Sequence, residues 1–346
     1  MADKLKNGED NSLKDIITAA DKGQLDVVTA LLDKGVDPNT VDEVGDTALH
    51  NAAKKGHWDI ARLLLERGAS PLSRNGNDSL PLHVAIRAGH TQVARLLLEC
   101  DPSTYNCKEG RPYEPIHIAA VNGHAEIVQL LIDYNASTLT TPKDHATALH
   151  LAAHKGHYDV CEILVKHDKK LDRSLWERLT GPSLEVYARD YTKNTPLSHA
   201  VFIKNKQIVE LILHHHPDLG NSLDARKEML FHRVISSGNI GIAEAFLNNG
   251  TDIEMKDSYG RGALHVAVAA RPISRFSNDT DPEMIRFLLA RGAMADAKTK
   301  DGYKPEDLTR EAKIKMMLRT SAKPQSLGQP GPLAATSSTP PPEYKP

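Results

Sequence analysis

Apolar residues in this chain gather into short clusters that repeat along most of its length. The segment 124–136 reads HAEIVQLLIDYNA, and its Ile, Val and Leu residues lie at helical spacing, with Glu126, Gln129 and Asp133 between them. This pattern predicts an amphipathic helix that buries one side. A stretch with paired alanines, Ala119-Ala120, precedes it and ends at Gly123. It predicts another helix, which closes on a glycine in the left-handed conformation.

Fixed landmarks show that this helix pair is a repeating unit. The first predicted helix opens with a tetrapeptide such as TALH or TPLS, where Thr suits the N-cap and Pro the first helical position. The tetrapeptides mostly lie 33 or 34 residues apart, with one step of 48, and end at His50, His83, His117, His150, Ser198, His232 and His265. A Gly-His pair follows most of them, and an LLLERGA-like ending closes several units.

The 33-residue period, the T-P-L-H tetrapeptide, the Gly-His pair and the closing Gly-Ala together resemble the ankyrin repeat. The resemblance implies an all-α solenoid of helix-turn-helix repeats with β-hairpin or loop fingers. We expect about nine repeats, including the caps, over 13–320, between a flexible N-terminus (1–12) and a disordered, Pro-rich tail (321–346). One unit cannot bury its own apolar face, so stability comes from stacking.

The sixth unit departs most from the pattern. Ser198 takes the place of the tetrapeptide histidine, and Lys204-Asn205 takes the place of Gly-His. Because the stability of an array is roughly a sum over units, we expect the middle and later units, which match the pattern less well, to be locally less stable.

Extra residues predict insertions near 168–190 and 271–280. The first predicts a short helix that carries Trp176, followed by an arm in which Leu184, Val186 and Ala188 alternate as in a hairpin strand. Trp176 either packs against the stack or anchors a partner, since tryptophan is enriched in interface hot spots. The second insertion is polar and predicts a loop after a first helix.

Charge and cysteine content narrow the partners and the compartment. The chain has 43 basic and 45 acidic side chains and shows no basic stripe, so we expect no direct nucleic-acid partner. Three cysteines without framework spacing favour reduced thiols, hence a cytoplasmic or nuclear protein. No apolar run is long enough for membrane insertion, and we expect a monomer.

Histidine is abundant in this chain, but the positions of the histidines do not predict a metal or catalytic site. Of the 17 histidines, 11 fall at repeat positions, where the resemblance implies hydrogen bonds that hold helix starts and loops. The cluster 214–216 lacks the four convergent ligands of a closed zinc site and is interpreted as a solvated helix end. No nucleophile or nucleotide-binding motif is present, and no non-repeat segment is long enough for a catalytic domain. We therefore predict no catalytic, cofactor or metal site, and no enzyme.

The tail ends with a motif that resembles a WW-domain ligand. Pro341, Pro342 and Tyr344 form a P-P-x-Y sequence in a segment rich in proline. It either recruits a WW-domain protein or is an inert soluble tail.

The resemblance implies that the protein binds other proteins through a concave surface of finger tips and first-helix faces. The matching finger residues are Asp42, Glu43, Asn77, Lys108, Glu109, Lys143 and Asp144, and the matching helix residues are Asn51, Lys54, Arg87, Val121, Asn122, His154 and Lys155. Their mixed charge favours a mixed protein surface as partner. The main hypothesis is a scaffold or adaptor. One alternative is a substrate adaptor that recruits a WW-domain ubiquitin ligase through the tail, and another is an ankyrin-type transcriptional coregulator.

Overall fold

Paired helices account for most of the described chain. The computed structural model describes residues 16–110, 113–138, 145–170, 185–223, 229–270 and 282–321. In chain order its α-helices are α1 (16–21), α2 (Leu25–Asp33), α3 (Ala48–Lys55), α4 (Trp58–Glu66), α5 (Pro81–Ala88), α6 (Thr91–Cys100), α7 (Pro115–Asn122), α8 (Ala125–Asp133), α9 (Ala148–Lys155), α10 (Tyr158–Lys170), α11 (Pro196–Phe202), α12 (Lys206–His215), α13 (Leu230–Ser236), α14 (Ile240–Asn248), α15 (Ala263–Ala269), α16 (Pro282–Ala290) and α17 (Ala312–Ser321). Short 3-10 helices are η1 (Pro102–Asn106), η2 (Glu185–Tyr187), η3 (Pro217–Asn221) and η4 (Pro305–Leu308).

Odd-numbered helices up to α15 are the first helices of units, and even-numbered helices are the second. Before α17, η4 takes the place of a first helix and packs against α15. The predicted all-α, helix-turn-helix architecture is confirmed.

Helix boundaries follow from capping at each end. Oγ1 of Thr47 accepts the backbone N–H of His50 at 3.3 Å, and the backbone N–H of Thr47 donates to Nδ1 of His50 at 3.2 Å. These bonds satisfy amides that would otherwise lack a partner at the start of α3. The helix ends at Gly56, whose φ of 76° lies in the left-handed region. A side chain built there would also meet the ring of His90 at 2.5 Å, so glycine is needed for space as well as for conformation.

Stacking between units builds one continuous core. First helices α3, α5, α7, α9 and α11 pack in sequence, and second helices α2 to α14 form a parallel row behind them. A single apolar cluster extends from Ile16 to Leu318 and consists mostly of Leu, Ile, Val and Ala. Alanines of the first helices, such as Ala52 and Ala53, are fully buried, because small side chains let neighbouring helices approach closely.

Histidines at the tetrapeptide position tie several units forward to the next. Nε2 of His50 donates to the carbonyl oxygen of Ser79 at 3.0 Å, and Nε2 of His150 to that of Asn194 at 3.0 Å. In both, Nδ1 faces the amide of the N-cap residue, so the neutral ring with its proton on Nε2 satisfies both contacts. His83, His232 and His265 make equivalent forward bonds.

The Gly-His histidines tie the four units that carry them backward. Nε2 of His90 donates to the carbonyl oxygen of Lys54 at 3.1 Å, and Nε2 of His157 to that of Val121 at 3.1 Å. His57 and His124 do the same at 3.3 and 3.4 Å. Units that carry both histidines are therefore joined by polar bonds as well as by apolar packing.

The sixth unit lacks both histidine ties. Ser198 bonds only locally, with Oγ1 of Thr195 at 3.1 Å, and Asn205 caps its own helix by accepting the amide of Ile208 at 3.1 Å. Lys204 holds the left-handed position with a φ of 59°. The stack nevertheless continues, because α12 packs against both α10 and α14.

Fingers between units are tight turns rather than strand ladders. Oδ1 of Asp42 accepts the amides of Val44 and Asp46, both at 2.9 Å, and Asp257 holds its finger in the same way. In the described residues the β-structure amounts to two isolated bridges, Val41 with Thr47 and Leu223 with Met229. An acidic or amide side chain two residues before an exposed tip is enough to close such a loop.

The prediction of a hairpin arm after Trp176 is wrong for the residues of that arm that the structure describes, which begin at Glu185. Residues Glu185–Tyr187 form η2, and both Glu185 and Val186 are buried, whereas a strand would place neighbours on opposite sides. Glu185 accepts the backbone N–H of Leu149 at 2.6 Å and so caps the start of α9. Trp176 itself lies outside the described residues.

The interpretation of the histidine cluster as a solvated helix end is wrong for His216. Its exposed fraction is 5%, and its ring lies edge-on to that of Tyr187 at 5.6 Å. Tyr187 also donates its hydroxyl to Asp218 at 2.8 Å. Because α12 ends at His215 and η3 follows directly, the chain turns inward at His216.

Candidate partner-binding surface

Finger turns and the exposed sides of the first helices form one surface, which we call the finger face. Its described turns are 42–46, 75–79, 108–110, 190–194, 257–261 and 299–303. Adjacent turns are tied together. The guanidinium of Arg74 donates to the carbonyl oxygen of Lys108 at 3.0 Å, Arg189 to that of Leu223 at 3.1 Å, and the ammonium of Lys256 to that of Lys298 at 3.3 Å. Each donor directly precedes the residue that closes its own turn, so the finger spacing is fixed.

Most of the predicted contact residues in the described chain lie exposed on the finger face. They are Glu43, Lys54, Asn77, Arg87, Lys108, Asn122, His154 and Lys155. Val121 is half-buried. Asn51 is 8% exposed and points its amide at the carbonyl oxygen of Thr47, so it offers little surface. Asp42 uses Oδ1 to close its finger.

Besides Trp176, five predicted residues cannot be placed on this surface. Lys143 and Asp144 of the fourth finger lie outside the described residues, as do Pro341, Pro342 and Tyr344 of the tail.

Ion pairs balance the charge in the N-terminal half of the finger face. Glu109 faces Arg87 at 2.7 Å and also accepts the hydroxyl of Ser79. Burial opposes ionisation of Glu109, but the bonds from Ser79 and Arg87 outweigh it and hold its pKa below the usual range. Arg74 pairs with Asp78 at 3.1 Å. Glu109 is thus part of the scaffold as much as of the surface.

A histidine cluster lies where the fifth and sixth units meet. The ring of His199 contacts the rings of His150 and His154, with centroids 5.7 and 5.3 Å apart, and its Nε2 lies 2.7 Å from Oδ2 of Asp190. Burial lowers the pKa of His150 to about 4, and burial together with His199 lowers the pKa of His154. The position of His199 next to Ser198 predicted a structural role, and its bond to Asp190 of its own finger gives it one.

Sequence reasoning missed a set of exposed aromatic residues in the C-terminal half. Tyr191, Tyr259 and Tyr303 of the fingers are 72%, 66% and 54% exposed, and Phe202 at the end of α11 is 67% exposed. Aligning the fingers on Asp190 and Asp257 would have revealed a tyrosine one or two residues after each. The signal was overlooked because it is offset from the tetrapeptide landmarks.

Metal-binding and membrane-spanning features are absent from the described ranges. Within them no three His, Cys, Asp or Glu side chains converge in a way that could hold a metal ion. No helix there combines the length and apolarity needed to cross a lipid bilayer.

Comparison with known families decides the identity of the repeat. A family model described as ankyrin repeats in three copies matches residues 16–109, 100–174 and 197–301, which is most of the chain. The chain belongs to the ankyrin-repeat family. Ankyrin repeats imply protein–protein interaction.

Similarity to individual curated proteins is limited to a few repeats. Protein phosphatase 1 regulatory subunit 27 of Homo sapiens and that of Mus musculus are each 32% identical over 77 residues, which is 22% of this chain and 44% of the relative. An ankyrin repeat protein of fowlpox virus (strain NVSL) is 29% identical over 90 residues, or 26% of this chain and 62% of the viral protein. The chain thus spans less than two thirds of each of these relatives.

Proposed function

We propose that this protein is a non-catalytic scaffold that binds other proteins through its finger face. One observation carries the proposal: neighbouring units are tied by histidine bonds and neighbouring fingers by basic side chains, so exposed residues stand at fixed spacing. Prearranged side chains lose little conformational entropy on binding, which favours affinity.

Capture from cell extract followed by mass spectrometry tests the scaffold role. The full chain serves as bait, beside a finger-face variant with Arg87→Ala and Tyr259→Ala. The matched control is Tyr158→Ala, because Tyr158 is exposed on α10, outside the finger face. We expect partners that the unaltered chain and the control retain and the finger-face variant loses. Identical partner sets for all three baits would contradict the proposal.

The relatives suggest which partner to examine first. The human and mouse relatives are named as regulatory subunits of protein phosphatase 1, so we include a phosphatase catalytic subunit among the purified proteins tested against the finger face. Such a subunit, or a protein bound to it, is one kind of client that the scaffold would hold in the cytoplasm or the nucleus.

The tail extends the proposal to an adaptor. Pro341, Pro342 and Tyr344 form the P-P-x-Y sequence that favours a WW-domain protein such as a ubiquitin ligase. We expect Tyr344→Ala to abolish binding of a purified WW domain, measured by calorimetry, and to leave client binding on the finger face intact. If Tyr344→Ala bound the WW domain as tightly as the unaltered chain, the adaptor role of the tail would be rejected and the scaffold role would stand. A coregulator role would use the same finger face for a transcription factor.

A further inference from the structure

Exposed aromatic residues in the C-terminal half lie on one surface and at related positions. Tyr191, Tyr259 and Tyr303 belong to fingers, and Phe202 ends the first helix that follows the finger of Tyr191. Single exposed apolar residues are ordinary on any protein, but a set confined to one face is typical of an interaction site. Tyrosine is also enriched where interfaces bury their anchors.

A backbone bond joins the fingers of Tyr259 and Tyr303. The backbone N–H of Lys300 donates to the carbonyl oxygen of Tyr259 at 3.1 Å, so the last two described fingers touch. The guanidinium of Arg261 lies 5.2 Å from the centre of the Tyr259 ring. Beside that finger, a cleft of about 180 Å³ opens between α13 and α15. Its lining is mixed: Met229, Val266, Ala269 and Ala270 are apolar, and His232, Arg233, Ser236, Asp257 and Arg261 are polar or charged.

The same fingers hold three basic side chains, Lys193, Arg261 and Lys300, and three acidic ones, Asp190, Asp257 and Asp301. Two of the carboxylates are engaged: Asp190 pairs with His199 and Asp257 with Arg261, each at 2.7 Å. Lys193 and Lys300 of the fingers, and Lys155 and Lys204 at the ends of first helices, are exposed and have no carboxylate within ion-pair distance among the residues that the structure describes. Asp301 is an exposed acid at these tips. The positive charge here is thus available to a partner.

The N-terminal half of the finger face is different. There Arg74 pairs with Asp78, Arg87 with Glu109 and Lys55 with Asp21. The mixed charge predicted from sequence is therefore unevenly distributed: exposed lysines without an ion pair in the described residues are more numerous in the aromatic, C-terminal half than in the N-terminal half.

We infer that the C-terminal half of the finger face binds an acidic segment of a partner protein, one that carries Asp or Glu around aromatic or aliphatic anchors. The inference rests on the proposed scaffold function and adds the chemical class of its ligand. The carboxylates of the partner segment pair with the lysines. Its aromatic or aliphatic anchors stack on the tyrosines and enter the cleft beside Tyr259. The tail of this chain is a poorer occupant, since it carries two lysines and one glutamate over 322–346.

A random-peptide library displayed on phage and selected on the full chain tests the inference. We expect the enriched peptides to be acidic and to contain aromatic or aliphatic residues. Their binding should weaken as salt rises, because exposed charges are screened. A mixed-sequence single-stranded RNA is tested in parallel, since lysines and tyrosines also suit a nucleic-acid strand.

Matched charge reversals then locate the site. Affinity for the most enriched peptide should fall about tenfold in the variant with Lys193→Glu and Lys300→Glu, as expected for two lost surface pairs. It should be unchanged in the control with Lys34→Glu and Lys313→Glu, two exposed lysines away from the fingers.

Three outcomes overturn the inference, and they separate it from the proposed function. Enriched peptides without acidic bias that depend on Tyr259 but not on the lysines would reject the acidic ligand and keep the scaffold. RNA that binds more tightly than any selected peptide would do the same. Peptides insensitive to every finger-face change, including Arg87→Ala, would reject both.

Discussion

Individual residues in this chain have roles set by their place in the unit. The tetrapeptide and Gly-His histidines bond to main-chain carbonyls of neighbouring units, so their abundance reflects assembly and not catalysis. Spacing alone placed these side chains at helix starts. It could not show the distant carbonyl that each one reaches, because that contact forms only when units stack.

Lys204 occupies a position that suits glycine. Its φ is 59°, and the equivalent residue in the neighbouring units is Gly156 or Gly238, both also at positive φ. We expect Lys204→Gly to stabilise the protein by about 0.5–1 kcal/mol, because glycine removes the cost of the left-handed conformation. The measurement is the free energy of unfolding in urea.

The matched control for this change is Lys34→Gly. Lys34 is also an exposed lysine at a helix end, but its φ is −80°. No gain is expected there. Equal effects of the two substitutions would show that backbone strain at Lys204 is not the cause.

An element outside the repeat pattern can stabilise the stack by bonding to a neighbouring helix. The segment before the sixth unit supplies η2, and its Glu185 caps the amide of Leu149 in α9. From sequence alone, the alternation of Leu184, Val186 and Ala188 indicated a strand. The segment is instead a 3-10 helix, because the buried carboxylate of Glu185 bonds to the amide of Leu149, which has no partner within α9.

Glu185→Ala should destabilise the protein by about 1–3 kcal/mol, because the buried N–H of Leu149 loses its acceptor. Thermal or urea unfolding checks the change. Glu185→Gln keeps an acceptor oxygen and should recover part of the loss. Glu162→Ala, which removes an exposed pair with Lys166 on α10, should cost under about 1 kcal/mol. A Glu185→Ala protein as stable as this control would disprove the capping role.

At the scale of the whole molecule, buried histidines couple stability to pH. Burial lowers the pKa values of His50 and His83, and that of His150 to about 4, whereas an unfolded histidine titrates near 6.5. Below pH 6.5 the unfolded chain therefore binds protons that the folded chain does not. Stability is fully present above this pH and falls as the pH drops from about 6.5 to about 4.

His150 alone should cost about 3 kcal/mol across that window, at 1.36 kcal/mol per pKa unit. Urea unfolding at pH 7.5, 6 and 5 measures the slope. His150→Ser, which installs the residue found at Ser198, should lower stability at pH 7.5 but give a shallower pH dependence. A His150→Ser protein with the original slope would show that His150 does not carry the effect.

The sequence by itself determined the unit, its helices, their caps and the stacking, because each depends on residues close together in the chain or repeated at a fixed period. The local requirements are glycine at positive φ, threonine at helix starts and apolar stripes. All three can be recognised in the sequence without knowledge of tertiary contacts. The departure of the sixth unit from the repeat pattern was visible for the same reason.

Only the tertiary structure decided what the finger face presents. The pairing of Arg87 with Glu109, the burial of His216 and the grouping of Tyr191, Tyr259 and Tyr303 with exposed lysines join residues that are distant or out of phase in sequence. Their neighbours are fixed by how one unit sits on the next. The numbers of charged and aromatic residues could be counted from the sequence. Their uneven distribution over the finger face depends on how the units stack and on which side chains pair across fingers.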